Sequence, residues 1–332
     1  MQLARRRMPL VAEQPSGHFF VDRYGVSHPL DPELRDRLKP GWRAMLNPAI
    51  AARLPSMDDL RDRARSAADK VVEANQVVAS LTGRSLTGRL LEVGCYDGAV
   101  AFQLARRKGT QVVASDLARY YVVQQPGRSN DSGLEAQRAV LAGLRERAGS
   151  VARITSERVR FVEDDISDSS LEPEGFDAIV PFEVLEHVAS PHAAFASMAR
   201  LLAPGAVAYN DYNPFFSVLG GHALCTLDMA WGHARLEPID FERYLAEVRP
   251  AEADQALRFY RESLNRLALA DLRLAVEEAE LELVALLPWS DRAIVGDLTT
   301  KILSEVQRAY PATAAEDLLA TFVTVVVRKP RV

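Results

Sequence analysis

The sequence predicts an α/β protein built on a doubly wound, mostly parallel sheet. From residue 89 onward, short apolar runs alternate with helical stretches, and this alternation is typical of right-handed crossovers between parallel strands. The predicted strands are the segments RLLEVG, QVVASD, RVRFVED, FDAIVPF, GAVAYND, LELVALLPW and LLATFVTVVVRK. We therefore expect seven strands with helices on both faces, and ligands beyond the carboxyl ends of the strands.

The composition indicates a globular protein and excludes several classes of function. The 332 residues are 48% apolar and 26% charged, which does not fit a disordered or fibrous chain. A net charge of −5 disfavours nucleic acid and anionic lipid as partners. The two cysteines, Cys95 and Cys225, exclude a disulfide framework and a four-cysteine zinc site.

Neither a membrane helix nor a signal peptide is predicted. No stretch approaches the ~20 apolar residues that a membrane helix needs. The basic amino terminus is followed by an apolar run that Pro9, Glu13 and Pro15 interrupt, which leaves it too short for a signal peptide. We expect a cytoplasmic protein that does not associate with membranes.

The pattern divides the chain into an extension, a main domain and an insert. Residues 1–80 are predicted to form a helical N-terminal extension or lid. Its last part is a long amphipathic helix that begins after Ser56, where Asp59 completes an N-terminal capping pattern. Residues 81–332 form the main domain, with a substrate-binding insert at about 214–279 that follows the fifth strand of the sheet.

The most informative motif is LLEVGCYDG, residues 90–98. An apolar strand ends in an acid and is followed by Gly94 and Gly98, the second of which enters a helix. Glycine permits close backbone approach to a ligand, and a helix amino terminus offers unpaired N–H groups to an anion. Tyr96 stands where a dinucleotide fingerprint needs its second glycine, so a nicotinamide cofactor is disfavoured.

This motif resembles the first motif of class I S-adenosylmethionine-dependent methyltransferases, and further landmarks follow in the same order as in that family. VVASD ends in Asp116, eighteen residues after Gly98, where the family places a ribose-binding acid. FVEDDI places Asp165 and Ile166 where the family holds the adenine, and FDAIVPFEVLEHV resembles the fourth strand and loop of the small-molecule branch. The resemblance implies a Rossmann-like seven-stranded sheet whose last strand is antiparallel.

The resemblance also implies the cofactor and its contacts. The cofactor is S-adenosylmethionine, which leaves as S-adenosylhomocysteine. The implied contact residues are Glu92, Gly94, Cys95, Gly98, Asp116, Leu117, Asp165, Ile166, Phe182 and Glu183. Simpler structural roles stay open for the acids. Glu92 could be a surface acid at a strand end, and Asp116 a helix N-cap. Asp165 could be a turn acid that exchanges its role with Asp164.

Residues near the carboxyl ends of strands four and five, and in the insert, are candidates for handling the acceptor and its proton. These candidates are His187, Asp211, Tyr212, His222, Asp228 and His233. The alternative for His187 is a helix-start histidine that hydrogen-bonds the backbone. The Asn-Asp-Tyr-Asn-Pro string at 210–214 resembles an amino-methylation motif, but it follows strand five rather than strand four, so we discount it.

Three interpretations of the insert stay open. His222, Asp228 and His233 could bind a metal, although their irregular spacing disfavours one. They could instead line a substrate pocket in which acids bind cationic groups and a histidine takes a proton. In the third interpretation they belong to a packed lid. For the N-terminal extension, Tyr24 and Trp42 are candidate pocket residues, and a homodimer contact is the alternative role.

We expect methyl transfer to a small molecule of specialised metabolism. The acids near strands four and five and in the insert, with no lysine between residues 109 and 300, favour a cationic or sugar-like acceptor. This is similar to what an actinobacterial aminoglycoside N-methyltransferase of antibiotic biosynthesis would require. The alternatives are O-methylation of a sugar or polyketide hydroxyl, metal-assisted or not, and a macromolecule methyltransferase or non-catalytic cofactor-binding scaffold.

Overall fold

The structure, a computed structural model, describes residue 14 and residues 16–43, 54–123, 131–154 and 157–331. The chain forms two compact units, each assembled from separate segments. We call the first the sheet unit; it contains the described residues of Leu54–Tyr212 together with Ala270–Leu287 and the described residues from Thr324 onward. The second, the helical unit, contains the described residues before 44 together with Asn213–Leu269 and Pro288–Val323.

Nine strands form two sheets in the described part of the chain. A two-stranded antiparallel hairpin, absent from the sequence prediction, is followed by the seven strands that the apolar runs predict. The strands are β1 (Phe19–Val21), β2 (Ser27–Pro29), β3 (Arg89–Val93), β4 (Gln111–Asp116), β5 (Val159–Glu163), β6 (Phe176–Pro181), β7 (Leu202–Tyr212), β8 (Glu282–Trp289) and β9 (Phe322–Arg328).

The seven-stranded sheet has the order β5-β4-β3-β6-β7-β9-β8. The first five strands in this order pair in parallel, with Val93 opposite both Ser115 and Pro181. β9 runs antiparallel to β7, because the N–H of Gly205 at the start of β7 donates to the carbonyl of Lys329 just past the end of β9, at 2.9 Å. The predicted mostly parallel sheet with an antiparallel last strand is therefore confirmed.

The helices connect and cover these strands. They are α1 (Leu34–Leu38), α2 (Met57–Thr82), α3 (Ala99–Ala105), α4 (Ala118–Val123), α5 (Asp131–Ala152), α6 (Pro191–Leu201), α7 (His222–Cys225), α8 (Gly232–Arg235), α9 (Pro238–Val248), α10 (Ala253–Glu262), α11 (Leu269–Glu278), α12 (Arg292–Val295), α13 (Thr300–Ala309) and α14 (Ala315–Leu319). Three short 3₁₀ helices add Ile166–Asp168, Leu185–His187 and Pro250–Glu252.

Helix α2 begins and ends where its sequence dictates. The Ser56 hydroxyl accepts from the N–H of Asp59 at 3.1 Å, and the Asp59 carboxylate accepts from the N–H of Ser56 at 2.7 Å, which is a capping box. The helix ends at Gly83, whose φ of 71° is the left-handed conformation that glycine adopts without strain. The sequence analysis assigned this helix to the N-terminal extension, whereas the structure packs it within the sheet unit.

The core of the sheet unit covers the centre of the sheet. Apolar residues of α2, α3 and α5 pack with one face of the strands in a single cluster that includes Val71, Phe102 and Leu90. Successive residues of β3 and β6 are buried, as expected for central parallel strands covered on both faces. The carboxyl ends of these strands are thereby held in fixed positions.

The helical unit has its own core, rich in aromatic residues. Phe241 stacks on Tyr260 with ring centroids 4.0 Å apart, and the buried Trp231 indole donates to the carbonyl of Leu318 at 3.1 Å. Segments distant in sequence form this core, since Phe20 belongs to the same cluster. Residues 214–269 of the predicted insert at 214–279 thus belong to one of three segments of this unit, whereas its residues 270–279 belong to the sheet unit. None of the helices in the described ranges is long and apolar enough to cross a membrane.

Removing the α2 capping box should destabilise the sheet unit. We expect Ser56→Ala to lower the free energy of unfolding by about 1 kcal/mol, because the N–H of Asp59 loses its acceptor. Urea denaturation followed by circular dichroism measures this change. Ser66→Ala, an exposed substitution inside the same helix, is the matched control and should not destabilise. Equal losses in the two variants would contradict the capping role.

Candidate active site

The strand order places a crevice between β3 and β6. From β3 the chain proceeds through β4 to β5 on one side, whereas β6 and β7 lie on the other side. Such a reversal leaves a crevice at the carboxyl ends of the two central strands, and ligands bind there in open α/β sheets. The loop after β3 begins at Gly94, and the loop after β6 contains Phe182 and Glu183. The predicted cofactor residues therefore converge on this edge.

Both glycines of the β3 loop are required by their surroundings. Gly94 has a φ of 73°, and an added Cβ would lie 2.3 Å from the Val184 side chain. Gly98 has a φ of 77°, and an added Cβ would lie 2.6 Å from the Phe161 ring. Residues with a side chain rarely adopt this backbone conformation. Only glycine therefore lets the loop pass so close to its neighbours. The loop backbone is also tied to β4, since the N–H groups of Gly94 and Cys95 donate to the Ser115 carbonyl.

Asp116, at the end of β4, connects that strand to the β3 loop. Its carboxylate accepts from the N–H of Tyr96 at 2.6 Å, from the N–H of Leu117 at 2.7 Å and from the Tyr121 hydroxyl at 3.0 Å. Burial raises the pKa of Asp116 above its usual value. The predicted ribose acid thus has a fixed orientation beside the glycine loop.

Arg145 is a site residue that the sequence analysis missed. It lies on α5, and its Nε donates to the carbonyl of Tyr96 at 2.9 Å while another guanidinium nitrogen lies 3.6 Å from the Asp116 carboxylate. Its guanidinium also lies over the Phe161 ring, 4.8 Å from the centroid. A lone arginine on a helix between two strands gives no sequence signal, because its partners are distant in the chain.

Glu92 and Asp164 are buried acids near the glycine loop and the end of β5, and each has a carboxylate oxygen without a hydrogen-bond partner among the described residues. Glu92 is 3% exposed, its Oε2 has no hydrogen bond, and burial raises its pKa well above the usual range. It is therefore not a surface acid. Asp164, just after β5, is 8% exposed, and its Oδ2 also lacks a partner. Asp165 instead caps the 3₁₀ helix that begins at the buried Ile166, and it pairs with Arg119.

These observations fit a nucleoside-bearing cofactor. Orphaned carboxylate oxygens in a buried crevice are acceptors that a ligand's hydroxyl or amino groups can satisfy. Gly94 and Gly98 carry no side chain, which permits a ligand to approach the loop backbone closely. Asp164, rather than Asp165, has the unused acceptor, so the exchange left open in the sequence analysis gains support.

On the other side of the crevice, Asp211 and Glu183 lie together. Phe182 pairs with Asp211 in an isolated parallel bridge, and the N–H of Glu183 donates to the Asp211 carbonyl at 2.8 Å and to its Oδ1 at 3.2 Å. Burial raises the pKa of Asp211 to about 7, and the neighbouring Glu183 carboxylate adds to the rise. Glu183 has a φ of 55°, an uncommon conformation for a residue with a side chain.

Helix α2 supplies a cation to each side of the crevice. Lys70 Nζ lies 2.8 Å from Glu183 Oε1, and an Arg63 guanidinium nitrogen lies 3.0 Å from Asp97 Oδ2 in the β3 loop. The two residues are seven positions apart, which is two helical turns and therefore one face. Sequence analysis treated this helix as part of the extension and missed both side chains.

His187 lies on the 3₁₀ helix after β6, and its ring packs against Tyr120 of α4 with centroids 5.1 Å apart. Because α4 follows β4 and β3 lies between β4 and β6, this ring pair spans the crevice beyond the β3 loop. Tyr212 is fully buried at the end of β7. The structure thus brings His187 and Asp211, two of the predicted catalytic candidates, to this edge of the sheet unit.

The remaining candidates lie in the helical unit. The Asp228 carboxylate accepts from the Tyr244 hydroxyl at 2.7 Å and pairs with Arg249, and His233 Nε2 bonds the Phe215 carbonyl at 2.7 Å. Burial lowers the pKa of His233 to about 4. His222 begins α7, and its ring packs on Phe259 with centroids 5.8 Å apart.

The partners of Asp228 and His233 favour the packed interpretation of the insert. Within the described residues, no group of three metal-ligating side chains contains Asp228 or His233.

The N-terminal pocket candidates, Tyr24 and Trp42, also have protein partners. The Tyr24 hydroxyl donates to Glu237 at 2.5 Å, and the Trp42 indole donates to Asp36 at 2.9 Å.

Comparison with known protein families matches residues 57–286 to a methyltransferase domain. The chain belongs to the methyltransferase family. The match covers more than half of the chain and confirms the predicted class I domain, whose cofactor is S-adenosylmethionine. It also begins with α2, in agreement with the packing of that helix in the sheet unit.

The curated relatives include ubiquinone biosynthesis O-methyltransferases. That of Xanthomonas euvesicatoria pv. vesicatoria is 31% identical over 174 residues, which cover 51% of this chain and 60% of the relative. That of Alkalilimnicola ehrlichii is 30% identical over 189 residues, covering 55% and 62%. That of Xanthomonas campestris pv. campestris is 30% identical over 215 residues, covering 64% and 72%. The chain thus spans about 60% of the length of the first two relatives.

Two of the solved structures that align with this chain come from proteins with different activities. The geranyl diphosphate C-methyltransferase of Streptomyces coelicolor A3(2) aligns with a TM-score of 0.43 at 15% identity, covering 79% of each chain. The [4+2]-cyclase SpnF aligns with a TM-score of 0.44 at 17% identity, covering 78% of this chain and 81% of the other. Similarity at this level carries no activity from either protein to this chain.

Crowding at Gly94 gives a direct test of the cofactor site. We expect Gly94→Ala to weaken the binding of S-adenosylhomocysteine at least about tenfold in calorimetry, because the new Cβ displaces Val184 or the loop. Gly109→Ala is the matched control, since Gly109 has the same φ within 1° but nothing within 4 Å of an added Cβ. Equal weakening in both variants would show that backbone strain, and not the crevice, is responsible.

Proposed function

We propose that this protein transfers a methyl group from S-adenosylmethionine to an acidic hydroxyl oxygen of a small molecule. The observation that carries the proposal is Asp211, a buried carboxyl at the crevice whose pKa is raised to about 7. A general base works best when its pKa lies near the working pH. Asp211 can therefore be ionised in the resting protein and accept a proton during transfer.

The residues divide the work between the two sides of the crevice. The cofactor supplies a methyl group that its sulfonium already activates. Asp116, Glu92 and the glycine loop would hold the cofactor, and Arg145 keeps that loop in place. The buried setting of Asp211 would exclude water and leave this carboxyl to take the acceptor's proton. Apart from removal of this proton, most of the rate enhancement comes from positioning, because the acceptor oxygen, the methyl carbon and the sulfur must lie in line.

The raised pKa of Asp211 selects among hydroxyl groups. A phenol has a pKa of about 10, like tyrosine, so transfer of its proton to a base of pKa about 7 costs roughly 4 kcal/mol. A sugar hydroxyl is much less acidic and would need a stronger base or a metal. A phenol or enol therefore suits this site better than a sugar. The names of the curated relatives, which specify O-methyltransferases, support oxygen as the acceptor atom.

Methylation of an amine, as in an amino sugar or aminoglycoside, is the second candidate. The observation in its favour is a group of carboxylates: Glu183 and Asp211 lie near the ends of β6 and β7 and Glu73 faces them from α2, while Lys70 pairs with Glu183. Asp228, counted earlier among the acids that favour a cationic substrate, is neutralised by Arg249. The acidic character of the site is therefore smaller than the sequence indicates.

A panel of acceptors separates the two candidates. The protein is incubated with methyl-labelled S-adenosylmethionine and 3,4-dihydroxybenzoate, glucose, spermidine or neamine. We expect label in the phenol only. Label in spermidine or neamine but not in the phenol would establish amine methylation. Label in glucose that a chelator abolishes would establish metal-assisted transfer to a sugar. Tight cofactor binding with no labelled product across a broad panel would indicate a scaffold.

The proposed base makes the reaction pH-dependent in a defined direction. Because Asp211 must be ionised to accept a proton, kcat/KM should rise with pH and level off above about 7. Asp211→Asn should lower kcat about 10²- to 10⁴-fold and remove this rise. Glu282→Gln, at an exposed carboxylate on β8, is the control and should keep both the rate and the profile. An Asp211→Asn variant with normal activity would refute the assignment.

A further inference from the structure

We propose that Lys70 is a positioning residue for the proposed transfer, which holds Glu183 against the end of β6 and supplies the positive charge that Asp211 faces. The inference rests on the proposed function. Lys70 Nζ lies 2.8 Å from Glu183 Oε1, and the Glu183 N–H in turn donates to Asp211 Oδ1 at 3.2 Å. A cation on α2 is thereby linked through one residue to the proposed base.

Glu183 needs this support because of its backbone. Its φ of 55° is an unfavourable conformation for a residue with a side chain, and it persists only when neighbours fix it. Two contacts fix it here: the hydrogen bonds to Asp211 on β7 and the ion pair with Lys70 on α2. Loss of the ion pair would leave Glu183 without its contact to α2, so that its hydrogen bonds to Asp211 would have to hold this backbone conformation.

Lys70 is the cation with the largest effect on Asp211. Carboxylates face it from α2 at Glu73 and from the β6 loop at Glu183, and Tyr209 is its neighbour on β7. The buried Glu186, on the 3₁₀ helix after β6, acts on Lys70 as well. Burial and the neighbouring carboxylates raise the pKa of Asp211, and Lys70 opposes them. Without Lys70, Asp211 would bind its proton more tightly and be a poorer base at neutral pH.

The position of Lys70 on α2 supports a dedicated role. Its side chain lies on the same helical face as Arg63, two turns earlier, which pairs with Asp97 on the cofactor side. The buried residues Val71 and Ala74 anchor the stretch of helix that carries Lys70. One rigid helix thus sets the charge on both sides of the site.

The test is a titration of Asp211 that needs no acceptor. Infrared difference spectra over a pH series report the carbonyl stretch of the protonated Asp211, assigned by its loss in Asp211→Asn. In Lys70→Met the midpoint should rise by about one pH unit, a tenfold change in the ionised fraction. The kcat/KM for the acceptor found in the panel should fall about fivefold at pH 7 and recover at higher pH. Lys70→Arg should restore the midpoint of the natural protein.

Two further variants control the interpretation. Arg63→Met removes the matching cation from the same helix face and should leave the Asp211 midpoint in place. Glu183→Gln should lower the midpoint, because a carboxylate that raises the pKa of Asp211 is removed. An unchanged midpoint in a folded Lys70→Met protein would overturn the proposal, as would equal loss of activity at all pH values. If Lys70→Met does not fold, Lys70→Gln takes its place, and an unchanged midpoint in that folded variant overturns the proposal.

Failure of the inference and failure of the proposed function give different results. If Asp211 titrates as described but Asp211→Asn remains fully active, the proposed base is wrong while the coupling to Lys70 stands. If Asp211→Asn is inactive but Lys70→Met leaves the midpoint unchanged, the base stands and the role of Lys70 is refuted.

Discussion

The parallel pairing of β3 with both β4 and β6 is the constraint on which the site depends. This ladder sets Val93 beside Ser115 on one side and beside Pro181 on the other, so the three following loops start at one level. Each residue of a strand advances the chain by about 3.3 Å. A slip of two residues would preserve the buried faces yet carry Asp116 roughly 7 Å from the Tyr96 N–H that it binds.

Charge is concentrated at this edge of the sheet and is balanced from the helices. Glu92, Asp116 and Asp211 are all buried at strand ends, and burial raises the pKa of each. Arg145 from α5 and Lys70 from α2 approach from outside the sheet. Buried carboxylates destabilise a fold unless they are paired or protonated. The site therefore weakens the part of the molecule that carries it, and the apolar core beneath β3 and β6 must compensate.

The fold could be predicted further than the site, for physical reasons. The strands and α2 can be recognised from residues that are near neighbours in the sequence. Gln111–Asp116 contains a short apolar run, and Ser56 and Asp59 form a capping box at the start of α2. The glycine loop was predictable because its backbone demands particular residues. By contrast, the pairing of Asp228 with Arg249 and the approach of Lys70 to Glu183 join residues 21 and 113 positions apart. Nothing in the local sequence distinguishes a buried, paired acid from a ligand-binding one.

The division of the helical unit among three segments affects how the chain can fold during synthesis. Arg23 and Arg35 bond Asp240 and Glu252, each 217 residues further along. At ~5–20 residues per second, a ribosome needs roughly 10 to 40 s to supply those partners. Until then the apolar side chains of the amino-terminal hairpin and α1 have no core to join. During synthesis this hairpin therefore stays unpacked, whereas the strands β3 to β6 can pair as soon as they emerge.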